Sequence, residues 1–213
     1  TNKYEFTNEL EEVTELRIEH FFAKFIRLYQ LATLPTMLDI PIEPTNKLDA
    51  LINLLNDCGD QKVIIWSHFP RCIEWIASKI KLNMPWKRVG FAHGKTTNRD
   101  ELVYKFEKEK TIDIVIANPA IWSQGITLNE ASIMIYWELH PRRDWWRQGR
   151  DRNYRIGQDK ETTIYTLIHE NTVEGMTYNW LNQKDFWSDL IVYGEAKKPE
   201  HITTHSKFIK NNC

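Results

Sequence analysis

What the 213-residue sequence lacks narrows the reading first. No apolar run exceeds the five residues Ile133-Met134-Ile135-Tyr136-Trp137, far short of the roughly 18 a membrane-spanning helix needs, so no membrane partner is expected. The three cysteines, Cys58, Cys72 and Cys213, form no Cys-x-x-Cys pair and no His-supported ligand spacing. Neither a disulfide framework nor a metal site is expected from them, and a reducing compartment fits. Lys plus Arg number 28 against 29 Asp plus Glu, so net charge draws in no polyanion and any such partner must be read from local clusters. Thr1-Asn2-Lys3-Tyr4-Glu5 shows neither an initiator Met nor a basic-then-apolar leader, and the expectation is a piece of a longer intracellular chain. Internal repeats and low-complexity tracts are absent too.

What remains is the composition of an ordinary globular protein, 42% apolar and 27% charged, long enough for one sizeable domain plus an attachment. From Phe6 to Leu31 apolar residues recur near helical spacing, which predicts one long helix, broken at most once. Pro35, Pro41 and Pro44 then make a connector, since each proline disfavours helix at the residue before it. Residues 1–44 are therefore read as a helical lead-in with a Pro-rich connector. From Lys47 the pattern alternates: helix to Asn56, strand Val63 to Trp66, helix Arg71 to Ile80, strand Arg88 to Ala92, helix Arg99 to Glu107, strand Asp113 to Ala117. It continues with strand Ile133 to Trp137, helix Asp144 to Arg152, strand Thr163 to Ile168 and helix Val173 to Asn182. Short apolar strands alternating with helices predict an α/β fold over 45–193, a mostly parallel sheet with helices on both faces. The polar stretch 194–213 reads as an irregular tail.

In such sheets the reactive groups gather at the carboxyl ends of the strands. That points to Ser67 and His68 after the first strand, His93, Gly94 and Lys95 after the second, Asn118 and Pro119 after the third, and Glu138, Leu139 and His140 after the fourth. The densest signal follows. Between His140 and Gln158 stand six arginines, at 142, 143, 147, 150, 152 and 155, and no lysine. Arginine grips phosphate oxygens in pairs with a planar, permanently charged fork, so an arginine-only cluster suits phosphate recognition. A helix over Asp144 to Arg155 would put Gln148, Arg152 and Arg155 on one face at i, i+4 and i+7; the bland alternative is a solvated helix with Asp151 paired to Arg147 or Arg155.

The run Gln148-Gly149-Arg150-Asp151-Arg152-Asn153-Tyr154-Arg155-Ile156-Gly157-Gln158 closely resembles the signature of the Swi/Snf family of ATP-dependent DNA translocases, in helicase superfamily two. Further blocks fall in the order of that family's second RecA-like lobe, from Asn46 to Lys184. Lys62 to Phe69 is similar to its first strand, and His93-Gly94-Lys95-Thr96-Thr97 to a motif beside the DNA backbone. Asp113 to Pro119 through Gly125-Ile126-Thr127-Leu128-Asn129 resembles the motif coupling ATP to DNA, and Thr172-Val173-Glu174 the closing helix. One departure is plain: Ile121-Trp122-Ser123-Gln124 stands where the family has small residues and paired glycines. The resemblance implies Arg152 and Arg155 as arginine fingers, Gln148, Gly125 and Asp151 as nucleotide-facing, and Ser67, His93, Gly94, Lys95, Asn118 and Pro119 as DNA-facing. It also implies ATP and Mg²⁺, held mainly by a first RecA-like lobe, with double-stranded DNA as the track; a strand-unwinding or RNA-tracking motor is a near variant. A binding module that grips nucleic acid or protein without hydrolysis is the alternative from a different class.

Other signals are set aside. Gly94-Lys95-Thr96 is no P-loop, because Val89 occupies the place of the required first glycine. No acidic strand end able to hold Mg²⁺ stands beside it. His201 and His205 lack the glutamate of a metalloprotease helix, and Ser67-His68 lies outside any G-x-S-x-G elbow. Of the nine tryptophans, Trp145 and Trp146 are candidates for base stacking, whereas Trp180 and Trp187 read as an apolar docking face.

Overall fold

The computed structural model describes residues 2–7, 13–18, 21–119, 130–139 and 162–181. The expected helix over Asp144 to Arg152, the segment around Gly125 and the tail from 194 lie outside them. Strands β1 (Asn2–Thr7) and β2 (Val13–Ile18) form an antiparallel hairpin, and helix α1 (Phe21–Thr33) follows. The single helix expected from Phe6 is thus corrected to a hairpin followed by a helix. The reason is legible in the residues: Tyr4 and Phe6, like Leu16 and Ile18, recur at a spacing of two, and the register pairs Tyr4 with Leu16. A period of two marks a strand.

A short 3₁₀ turn, Pro35–Leu38, opens the proline connector. Beyond it come α2 (Thr45–Asp57), β3 (Val63–Trp66), α3 (Pro70–Asn83), β4 (Val89–Ala92), α4 (Arg99–Glu107), β5 (Ile114–Ala117), β6 (Ile133–Tyr136) and β7 (Thr163–Thr166). Helix α5 is described over 173–181. Strands β3 to β7 form one five-stranded parallel sheet in the order β4-β5-β3-β6-β7. The α/β expectation holds strand by strand, with ends displaced by a residue or two.

Both faces of the sheet are covered, and strand alternation decides what each face holds. Val63 and Ile65 of β3, with Ile114, Ile116, Ile133 and Ile135, pack against Leu51, Leu54 and Leu55 of α2 and Ile73, Ile76 and Ile80 of α3. Ile64 and Trp66, with Val115, Ala117, Met134 and Tyr136, pack on the other side with Phe106 of α4 and Leu181 of α5. Apolar residues three and four apart give α2 and α3 one buried stripe each, and the strands, buried on both faces, read as continuous apolar runs. Leu28, counted in the expected apolar stripe of the lead-in, is instead 43% exposed, whereas Tyr29, Thr33 and Leu34 are buried.

A buried polar cluster ties these layers together. Lys47 of α2 donates to Glu174 of α5 at 2.6 Å, with both side chains 2% exposed. Thr33 at the end of α1 donates to the same oxygen at 3.0 Å, and the His169 backbone N–H donates to the other at 2.9 Å. Burial alone would push the Glu174 carboxyl up, but the Lys47 charge and the His169 hydrogen bonds outweigh it and hold the group below the usual carboxylate range. Thr172 caps α5, its hydroxyl accepting from the Glu174 N–H at 3.1 Å.

Removing one charge from this pair leaves the other buried and unmatched. Lys47→Met is expected to destabilise the chain by about 3–5 kcal/mol, and Lys47→Met/Glu174→Met to recover most of that loss. Urea denaturation of the two variants beside the wild type checks this, since a double variant as unstable as the single would contradict the pairing.

Candidate functional site

The three middle strands of the sheet stop at one level. Val63 sits opposite Ile114 and Ile133, and Trp66 opposite Ala117 and Tyr136. The ladder carries one step further, with the Ser67 N–H donating to Ala117 O at 3.0 Å and the Trp137 N–H to Trp66 O at 3.0 Å. The polar residues that follow each strand therefore share one edge.

At the centre of that edge stands Glu138, 1% exposed. Its Oε1 accepts the Ser67 hydroxyl at 2.8 Å and the His68 N–H at 2.5 Å. Asn118 Nδ2 donates to His68 O at 2.9 Å, so the turn after β3 is held from the β6 side and the β5 side at once. The Tyr29 hydroxyl donates to the Leu139 carbonyl, which fixes the exit of β6 from α1. Lys47 Nζ lies 5.0 Å from the centroid of Trp137, and the Trp75 ring packs 5.8 Å from it. Burial pushes the Glu138 carboxyl up to about 7, against the pull of the His68 and Ser67 hydrogen bonds and the Lys47 charge.

The second part of the edge is the loop after β4. His93 is buried and lies 2.9 Å from Glu74 of α3 through Nε2, with its ring stacked on Phe91. The turn is closed by Thr96: its N–H donates to His93 O at 2.9 Å, and its hydroxyl accepts the His93 N–H at 3.0 Å. Arg99 donates to Thr96 O at 3.0 Å and Gly94 O at 3.1 Å, so this guanidinium braces the loop from within. Gly94 and Lys95 are exposed at its tip, where a lysine presents a point charge to an anion.

Of the residues singled out in the sequence, Ser67 and Asn118 meet around the turn at His68, Pro119 is buried beside them, and His93, Gly94 and Lys95 form a separate loop on the same edge. Gly125, Gln148, Asp151, Arg152 and Arg155 lie outside the described residues. Glu138, marked in the sequence by its place after the fourth strand, stands on this edge as well, whereas Glu74 and Tyr29 were not anticipated as site-forming residues. A carboxylate directly after an all-apolar strand was the available signal for Glu138; Glu74 and Tyr29 carry none, because their partners are 19 and 110 positions away.

A cavity of about 920 Å³ opens elsewhere, between α1, α2, the exit of β7 and α5, and Asn46, Lys47, His169, Glu170 and Asn179 are among its polar lining residues. Its buried cation is matched by Glu174, so the cavity presents no free positive charge to a phosphate.

Glu138 makes stability depend on pH. A carboxyl raised to about 7 in the folded chain binds a proton more tightly than in the unfolded chain, so its contribution is greatest below pH 4.5, declines as pH rises to about 7 and is flat beyond. Relative to Glu138→Gln, which has no proton to lose, the wild type is expected to lose stability across that window. Urea midpoints of the pair from pH 4.5 to 8 check this, and parallel curves would contradict it.

The helicase conserved C-terminal domain is matched over residues 46–157. The chain is 26% identical over 190 residues to an ATP-dependent helicase of Mycoplasma genitalium, covering 84% of this chain and 18% of that protein. It is 26% identical to the chromatin-remodeling ATPase INO80 of Eremothecium gossypii, over 71% of this chain and 11% of the relative, and 24% identical to human INO80, over 73% and 10%. It thus spans less than a fifth of each of these relatives. The crystal structure of the C-terminal part of the Fun30 ATPase domain superimposes with a TM-score of 0.59 at 28% identity, covering 63% of this chain and 44% of that one.

Proposed function

The chain belongs to the helicase conserved C-terminal domain family, and from that membership we propose that it is the second, RecA-like lobe of an ATP-driven motor that tracks along double-stranded DNA. The observation that carries the reading is the coincidence of a helicase-type sheet with six arginines between His140 and Gln158, just beyond β6. Arg152 and Arg155 are proposed to reach the γ-phosphate of ATP held by a first lobe, with Gln148, Asp151 and Gly125 on the same nucleotide side. Charge develops on the transferring phosphoryl group, and a guanidinium aimed at it neutralises that charge.

On the nucleic-acid side, Ser67, Asn118 and the loop His93 to Lys95 are proposed to meet the phosphate backbone. The shared level of the strand ends supports this grouping, and so does the exposed Lys95 on a braced turn. ATP and Mg²⁺ would be held mainly by the first lobe, since the sequence carries no P-loop. The intracellular location of such a motor belongs to the same proposal.

The alternative class, a module that binds without hydrolysis, is kept for one reason: Trp122 stands where the family has small residues. Hydrolysis by the full-length protein, measured alone, with duplex DNA and with RNA, separates the two. Duplex DNA is expected to stimulate the rate, and Arg152→Ala to lower the stimulated rate by about 10³ to 10⁵-fold. A full-length protein whose rate no nucleic acid changes would favour the binding module.

A further inference from the structure

We propose that Glu138 is a positioning residue that couples the nucleic-acid side of this lobe to its nucleotide side, by bonding the Ser67–His68 turn while its own backbone leads directly into the arginine-rich stretch. The inference rests on the proposed function and names a coupling element within it. Glu138 makes no contact with nucleotide in this scheme; it acts through its neighbours.

Three observations carry it. The first is connectivity: one carboxylate oxygen accepts both the Ser67 hydroxyl and the His68 N–H, and the six arginines begin four residues further along the chain, at Arg142. The second is that a structural role does not require a charge here. The backbone ladder already joins β3 to β6 through the Trp137 N–H and Trp66 O, whereas burying a carboxylate costs stability, the more so because Glu138 Oε2 finds no hydrogen-bond partner among the described residues. A costly buried charge at the edge where ligands bind is a mark of function.

The third is the set of charged and titratable groups around it. Lys47 of α2 draws the carboxylate toward ionisation, and Glu174 of α5 opposes it. Tyr29 of α1 and Cys72 of α3 are both raised by burial first and then by neighbouring carboxylates, Glu138 among them, and His68 stands in the bonded turn itself. Lys47 is already committed to Glu174 at 2.6 Å, so among the described residues Glu138 has no cation of its own.

The consequence is a proton-linked strap. Hydrogen bonds to a carboxylate are roughly twice as strong as those to a neutral acid. A phosphate arriving at the Ser67 turn adds negative charge beside Glu138, favours its protonation and weakens both bonds. The backbone at Leu139, leading to the arginines, is then held less tightly from this side. The burial-raised proton affinity of Glu138, near neutrality, lets a modest field tip the balance.

The test uses the full-length protein, duplex DNA as the probe, and the isosteric Glu138→Gln. Two quantities are read: the ratio of DNA-saturated to DNA-free hydrolysis, and the Kd for duplex from pH 6 to 8. In the wild type, binding takes up a proton, so the Kd is expected to rise with pH across this window; in Glu138→Gln that dependence flattens and the ratio falls by about fivefold or more, the lower range of allosteric coupling. A merely structural Glu138 would lower the melting temperature while leaving the ratio and the pH profile alike in both proteins, and that result overturns the inference while the motor reading stands. A wild type that DNA does not stimulate overturns both. Should Glu138→Gln fail to fold, calorimetry of wild-type binding in buffers of different ionisation enthalpy reads proton uptake directly, and none near pH 7 overturns the inference.

Discussion

The register of the central strands is the constraint on which the rest depends. Because β3, β5 and β6 run parallel with Val63, Ile114 and Ile133 in step, Trp66, Ala117 and Tyr136 lie in one row; β3 and β5 turn polar at the next residue, and β6 one residue later, at Glu138. Shifting β6 by one residue would exchange its two faces, sending Met134 and Tyr136 toward α2 and α3, and would carry Glu138 away from Ser67. Packing and site are thus fixed by one choice of alignment. Its strength comes from fourfold apolar runs buried on both sides, where a slip in either direction meets a core of different shape.

Against that apolar sheet, polar groups are used sparingly and at the strand ends. Lys47 and Glu174 are matched charges that join helices from opposite faces, and Thr33 adds the lead-in helix to the same carboxylate. Glu138 differs in having hydrogen-bond donors and, among the described residues, no cation of its own. The two buried glutamates respond oppositely, Glu174 held ionised and Glu138 held near neutrality. One serves cohesion, and the other is left poised.

Much of the sheet was legible because apolar runs of four bounded by polar turns leave little ambiguity: β3 and α4 match the sequence reading residue for residue at Val63–Trp66 and Arg99–Glu107. The hairpin before α1 was not, since Phe6, Leu10, Val13 and Leu16 also fit a helical spacing and the alternation of Leu16 and Ile18 is only a few residues long. The edge residues Ser67 and Asn118 were readable from position alone, by the rule that ligands meet parallel sheets at strand carboxyl ends. What holds them was hidden for a general reason. Pairings such as Tyr29 with Leu139 or Glu138 with Ser67 join positions 110 and 71 residues apart, and one sequence encodes no such distance.

The hydroxyl of Tyr29 reaching the carbonyl of Leu139, with Leu34 packed in the core under α2 and α3, means that the folding unit reaches beyond the stretch that matches the family. The family match begins at residue 46, yet a fragment cut there would uncover apolar surface, strand Glu174 without Thr33 and leave the exit of β6 unanchored. A shortened chain that is to stay folded should therefore begin ahead of α1 and not at the start of the family match, since α1 carries ties to both α5 and the exit of β6.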